Sequence, residues 1–280
     1  MPTRRLGDAT LVPALGQGTW YMGERRGEAE AEIAALRLGL DLGMTLIDTA
    51  EMYAEGGAER IVGKAIAGRR AEVFLVSKVY PHNASRQGVV AAAERSLKRL
   101  GVERIDLYLL HWPGSHPLGE TIAGFQALIA AGKIARWGVS NFDPAGLARV
   151  MAAARAAGSA CMTDQVLYHP QARGIEFDLL PLCAEHRMAV MAYSPLGQAG
   201  ALLRSPALGA VARRHGVSAA QVALAFALRH PHVIAIPKAV HPDHIRANAA
   251  AASLRLTPAD LAEIDAAHPP PDRAEPLEML

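Results

Sequence analysis

Eight short apolar runs recur along the chain, each followed by a stretch of helical periodicity, and this alternation restricts the fold more than any other feature. The runs are LVPALGQGTW (11–20), TLIDTA (45–50), VFLVSKV (73–79), IDLYLLHW (105–112), ARWGVSN (135–141), CMTDQVLYH (161–169), AVMAYSPL (189–196) and VIAIPK (233–238). Helices are predicted over about 28–42, 57–67, 85–100, 118–131, 144–157, 177–187, 218–230 and 242–252, with a terminal helix capped by Thr257. Their punctuation is physical: Gly43, Gly101 and Gly132 stop helices, Asp143-Pro144 and Ser218…Gln221 start them. A longer loop is expected through Gly197, Gly200 and Pro206. VFLVS, VIAI and AVMAY are continuously apolar, as strands covered on both faces must be. Gly7-Asp8 places a β-hairpin at 3–12, and Pro269-Pro270-Pro271 marks an irregular tail, about 269–280.

Over 280 residues no composition break marks a linker, so 1–280 reads as one α/β domain, a single (β/α)8 TIM barrel with an N-terminal hairpin. Strand count alone leaves closure open against a doubly wound sheet. Gly16-Gln17-Gly18 follows a strand, but the third glycine of a dinucleotide fingerprint is missing. Gly57…Gly63-Lys64-Ala65 has neither the spacing nor the hydroxyl of a phosphate loop. Both absences favour the barrel. A net charge of +2 argues against nucleic acid or an anionic membrane as partner. The first residues lack a signal-peptide core, and no apolar run is long enough to span a bilayer. Cys161 and Cys183 form no disulfide framework or CxxC pair, and the Asn83-Ala84-Ser85 sequon reads as a chance match. A cytoplasmic monomer acting on a small molecule is expected.

Three successive runs end in chemistry: Asp48 and then Tyr53, Lys78, and His111. In a barrel the carboxyl ends of the strands share one mouth, where reactive groups gather. Each residue alone has a bland reading: Tyr as packing, Asp as a helix cap, His as a satisfied structural group. An amine closing a buried strand is harder to dismiss, because it needs a partner. A phenol, with a reference pKa of about 10, carries its proton at neutral pH. Lys78 is expected to draw that pKa down, Asp48 to hold Lys78 charged and aimed, and neutral His111 to orient a carbonyl oxygen. Such a set suits protonating a carbonyl while hydride reaches its carbon.

DTAEMY, LVSK, LYLLHW, WGVSNF, YSPLG and IPK stand in the order in which they occur in the aldo-keto reductases, and the sequence resembles that family over essentially its whole length. The resemblance implies a barrel that binds extended NADPH at its C-terminal mouth, and the tetrad Asp48, Tyr53, Lys78 and His111. It further implies that Ser140, Asn141 and Gln165 hydrogen-bond the nicotinamide carboxamide and that Tyr193 stacks on the ring. Ser194 and Leu196 would contact the pyrophosphate, Lys238 the 2′-phosphate and Asn248 the adenine. Two positions depart from the common pattern around the 2′-phosphate: Ala239 replaces a serine and His244 an arginine, which leaves NADH as an alternative cofactor. Asp164 stands where the family usually has asparagine.

Trp20, Tyr21, Tyr80, His82 and Trp112 lie just past strand ends and are expected to wall the substrate pocket. The short loop after His111 and the short tail suggest little roofing, which favours small carbonyls. GTWYMG, VLYH and IEFDLLP resemble bacterial members of the family that reduce methylglyoxal and similar aldehydes. No metal is expected, since His241 and His244 lack a third ligand. Two competing readings are a lyase or aldolase forming a Schiff base at Lys78, and an NADPH-binding redox-sensing subunit with little turnover.

Overall fold

In the computed structural model, which describes residues 1–280 apart from the side chain of Arg26, β1 (Thr3–Arg5) and β2 (Leu11–Pro13) pair antiparallel with Arg4 opposite Val12. This hairpin plugs one end of a barrel. Arg4 donates to the carbonyls of Val233 (3.0 Å) and Leu228 (2.8 Å), and Leu6 and Val12 pack into the barrel interior.

The barrel strands are β3 (Gln17–Gly18), β4 (Leu46–Asp48), β5 (Phe74–Val79), β6 (Leu107–Leu110), β7 (Trp137–Ser140), β8 (Thr163–Leu167), β9 (Ala189–Tyr193) and β10 (Val233–Ala235). All are parallel and neighbour one another in chain order. Closure, which strand count left open, is made between the ends of this row. Leu15 bridges Ala235 in parallel, Gly16 N donates to Ala235 O (2.8 Å), and Gly18 N donates to Pro237 O (3.0 Å). Glycine is needed at both positions, against the neighbouring β4 at Gly16 and across the seam at Gly18. A Cβ on Gly16 would lie 2.9 Å from the Leu46 carbonyl oxygen, and one on Gly18 would lie 2.7 Å from that of Ile236. Of the glycine pair that resembles a nucleotide fingerprint, Gly18 therefore serves barrel closure and Gly16 the close packing of the chain before β3 against β4.

The helices around the sheet are α1 (Ala29–Asp41), α2 (Gly57–Ile66), α3 (Arg86–Leu100), α4 (Leu118–Ala130), α5 (Pro144–Ala156), α6 (Leu179–Glu185), α7 (Pro206–His215), α8 (Ala219–Ala227), α9 (Pro242–Ala251) and α10 (Pro258–Ala267). Ser85 and Asp143 cap α3 and α5 by accepting from Gly88 N (3.1 Å) and Gly146 N (2.6 Å). The helix expected over 177–187 is only the seven residues of α6. The stretch after Pro206, expected as loop, contains α7, with the proline in its first turn, where a missing N–H costs nothing. Among the described residues no helix is long and apolar enough to cross a membrane.

Strand period places the chemistry. Inward side chains alternate, so residues two apart share the lumen. Leu46, Val76, Leu109 and Met191 belong to the apolar cluster that fills the barrel interior. Two residues further on the same faces come Asp48, Lys78, His111 and Tyr193. The apolar plug thus ends in a polar layer at the carboxyl ends of the strands.

Candidate active site

Lys78 is wholly buried, and all three of its ammonium donors are used. Nζ donates to Asp48 Oδ2 (2.7 Å), to Thr49 O (2.9 Å) and to the Tyr53 hydroxyl (3.2 Å). Asp48, 2% exposed, is also held by Gln165, whose Nε2 donates to its other oxygen at 2.8 Å. The Tyr53 ring stands edge-on to His111 with centroids 5.7 Å apart. Asn141 Nδ2 donates to the His111 carbonyl (3.1 Å), and Tyr193 donates its phenol proton to Asn141 Oδ1 (3.0 Å). The four side chains predicted from three strand ends are together.

Burial sets the protonation states. It acts to lower the Lys78 pKa, but Asp48 and Tyr53 outweigh it and the net shift is upward, so the amine stays charged. Burial, aided by Lys78, pushes the His111 pKa well down, so its imidazole is neutral through the neutral range; its Nδ1 has no partner among the described residues. Tyr53 differs from expectation. Lys78 does pull its pKa down, but burial pushes it up further and the charge on Asp48 adds to that, so the phenol is held above its ordinary value. A phenol in this setting is a proton carrier at neutral pH and becomes phenolate only as its proton is lost to an acceptor.

A cavity of roughly 410 Å³ opens over this layer. It is lined by Asp48, Tyr53 and His111, by Ser140, Asn141, Gln165, Tyr193, Ser194 and Leu196, and by Lys238. Trp20, Tyr21 and Trp112 line it too, the first two as a stacked pair 4.5 Å apart. Tyr80 and His82 do not. Tyr80 sits behind the wall, 5.5 Å from the Trp112 ring and 6.5 Å from that of His111, with His82 packed on it at 4.7 Å. His244 is exposed and pairs with the His241 ring at 5.2 Å, and Asn248 is buried on α9; neither lines the cavity. Non-glycine residues in the left-handed region gather here: Tyr21 (φ 68), Asn141 (φ 60), Ser194 (φ 45), Gln198 (φ 53) and Ala199 (φ 56) all line the cavity. Backbone strain of this kind persists where surrounding structure holds it, commonly at binding sites.

The tail is more than an irregular end. Arg173 anchors its start by donating to His268 O (2.5 Å) and Asp265 Oδ1 (2.7 Å), and Leu277 packs on the core. Met279 and Leu280 then line the cavity, so the mouth has a roof that sequence reading did not foresee. No residue motif announces it; only the path of the chain does.

Asp164 is fully buried on the outer face of β8. Its Oδ1 accepts from Phe142 N at 3.5 Å and its Oδ2 has no partner among the described residues. Burial drives its pKa well above the carboxylate range, with Asp143 adding to the shift and Phe142 N opposing it. The native state therefore holds a proton that the unfolded chain releases, and stability falls as pH rises above the ordinary value of 3.8. Asp164→Asn, which keeps the shape without the ionisation, is expected to raise the melting temperature at pH 8 by a few degrees and at pH 4 by much less. Thermal unfolding at the two pH values checks this, and equal shifts would contradict it.

The comparisons agree with the geometry. Methylglyoxal reductase YeaE of Escherichia coli (strain K12) is 52% identical over 278 residues, covering 98% of this chain and 97% of that one. Glyoxal reductase of Bacillus subtilis (strain 168) is 33% identical, covering 94% and 92%. The crystal structure of an aldo/keto reductase from Klebsiella pneumoniae in complex with NADP and acetate superposes with a TM-score of 0.94 at 49% identity, over 99% of each chain. Residues 14–269 match the aldo/keto reductase family. With a closed barrel, a buried Asp–Lys–Tyr chain at its mouth and these relatives, the chain belongs to the aldo/keto reductase family.

Proposed function

We propose that this protein reduces small uncharged aldehydes and ketones, methylglyoxal among them, to alcohols, using NADPH and the proton of Tyr53. One observation carries the reading: the hydrogen-bonded chain Asp48–Lys78–Tyr53 ends in a phenol facing a cavity that continues to Lys238. The lining suits an extended dinucleotide. Ser140, Asn141 and Gln165 offer polar groups beside the aromatic face of Tyr193, and Lys238 supplies a cation for a phosphate. NADPH, when bound, supplies the hydride. His111, neutral, donates to the carbonyl oxygen and orients it toward Tyr53. Tyr53 gives its proton to the developing alkoxide, and Lys78 stabilises the phenolate left behind until solvent restores the proton. Asp48 acts through Lys78. Asn248 keeps the adenine contact implied by family resemblance, and His244, standing where the family usually has arginine, is assigned to the 2′-phosphate end. Such a reductase acts as one catalytic domain, and in the cytoplasm, where reduced cofactor is supplied.

The Schiff-base reading conflicts with the site. An amine with every donor engaged and its pKa raised by a buried carboxylate is not a nucleophile at neutral pH.

Around Tyr53 the lining is Trp20, Tyr21, Met52, Trp112, Met279 and Leu280, and among the described residues Lys238 is the only lysine or arginine that lines the cavity. Among the described residues a substrate carboxylate finds no cation of its own there. With NADPH, kcat/KM for methylglyoxal is expected to exceed that for pyruvate by on the order of a hundredfold, the scale of a charge placed without its partner. NADH is expected to support the reaction with a higher KM than NADPH. A panel of neutral dicarbonyls, aldehydes and keto acids assayed with each cofactor tests the reading; no turnover of any neutral carbonyl, or a preference for keto acids, would overturn it.

A further inference from the structure

Glu51 lies between Asp48 and Tyr53, is 9% exposed, and does not line the cavity. Its Oε1 accepts two hydrogen bonds from the loop after β5, from Tyr80 N and from Asn83 Nδ2, each at 2.9 Å. Its Oε2 lies 3.5 Å from the half-exposed Arg95 guanidinium of α3, and its own N–H donates to Lys78 O at 3.4 Å. The loop it holds carries Tyr80, whose ring backs both His111 and Trp112. Glu51 is thus pinned at one end to the strand of Lys78 and at the other to the wall behind the imidazole.

We propose that Glu51 is a positioning residue for the carbonyl half of the site, holding the Tyr80 buttress so that His111 and Trp112 present the substrate oxygen to Tyr53. The proposal rests on the carbonyl-reductase reading. Without the carboxylate, a backbone N–H and an amide lose their acceptor and the loop is free to shift. A displacement of about 1 Å at a reacting group costs up to a hundredfold in rate. The hydrogen bonds and ion pair of Glu51 go to Tyr80, Asn83, Arg95 and Lys78 and not to the cavity-lining groups on β7, β8 and β9, so cofactor binding should not follow.

Steady-state kinetics with methylglyoxal and NADPH, with cofactor binding measured separately by fluorescence titration, test this. Glu51→Ala is expected to lower kcat/KM for methylglyoxal by about ten- to a hundredfold, with the rise in KM prominent. Its NADPH affinity should stay within about twofold. Glu51→Gln, which keeps the acceptor oxygen, should recover most of the loss, because a half-exposed ion pair contributes little. Arg95→Ala should leave the kinetics unchanged. Tyr80→Leu should reproduce the KM effect, and the double variant with Glu51→Ala should add little to it. Kinetics like the wild type in Glu51→Ala, equal damage in Glu51→Gln, or parallel loss of NADPH affinity would overturn the proposal. Should Glu51→Ala not fold, an unchanged KM in Tyr80→Leu would overturn it alone. A wild-type protein that turns over no neutral carbonyl defeats the reductase reading instead.

Discussion

Replacing Tyr53 with phenylalanine is expected to lower kcat for carbonyl reduction by about 10²–10⁴-fold, the usual contribution of a positioned general acid, and to leave NADPH binding nearly intact. The structure isolates the hydroxyl. Among the described residues its one hydrogen-bond partner is Lys78 Nζ, at 3.2 Å, while the ring packs on His111 and the core. Deleting it leaves the ammonium bonded to Asp48 and to Thr49 O, so the buried pair survives. The stability change should be about 1 kcal/mol, that of one hydrogen bond. Steady-state rates, cofactor titration and thermal unfolding on one preparation separate these effects. Near-normal turnover would remove Tyr53 from the acid role.

Lys78→Met should be worse in both respects. The isostere keeps the packing of the side chain but removes the cation that makes a phenolate tolerable, so kcat should fall at least as far as in Tyr53→Phe. Folding should suffer as well, because Asp48 is left buried with only Gln165 facing it. Breaking a buried ion pair from one side costs about 3–5 kcal/mol. The double variant Lys78→Met/Asp48→Asn removes the stranded charge and should recover much of that stability while remaining inactive. Denaturant unfolding of the two variants checks the point. Recovery of activity in the double variant, or stability like the wild type in Lys78→Met alone, would contradict the assigned roles.

What the sequence reveals of this site follows from strand period. Asp48, Lys78 and His111 each stand two residues beyond an inward apolar side chain, and that spacing is visible in one dimension. The barrel was legible as eight alternating units, but its seam was not, because the approach of Gly16 and Gly18 to Ala235 and Pro237 joins residues more than two hundred positions apart. The same limit hid the roof: Met279 and Leu280 reach the cavity only because Arg173 and Leu277 dock the tail. Proximity to a strand end points Tyr80 and His82 to the wall, yet a turn sets them behind it. Glu51 had no visible role because its partners, Tyr80 and Asn83, come from the next unit. The direction of the Tyr53 shift is hidden for a different reason: it is a balance between burial and a neighbouring cation, and sequence reports the cation alone.

The most direct test is a single turnover. Wild-type protein and Tyr53→Phe, each loaded with NADPH, are mixed rapidly with excess methylglyoxal, and the loss of reduced-nicotinamide absorbance is followed. The wild type should oxidise its bound NADPH in one fast phase, and the variant should bind NADPH equally well but react at least a hundredfold more slowly. Equal rates in the two proteins, or no oxidation by the wild type, would contradict the account.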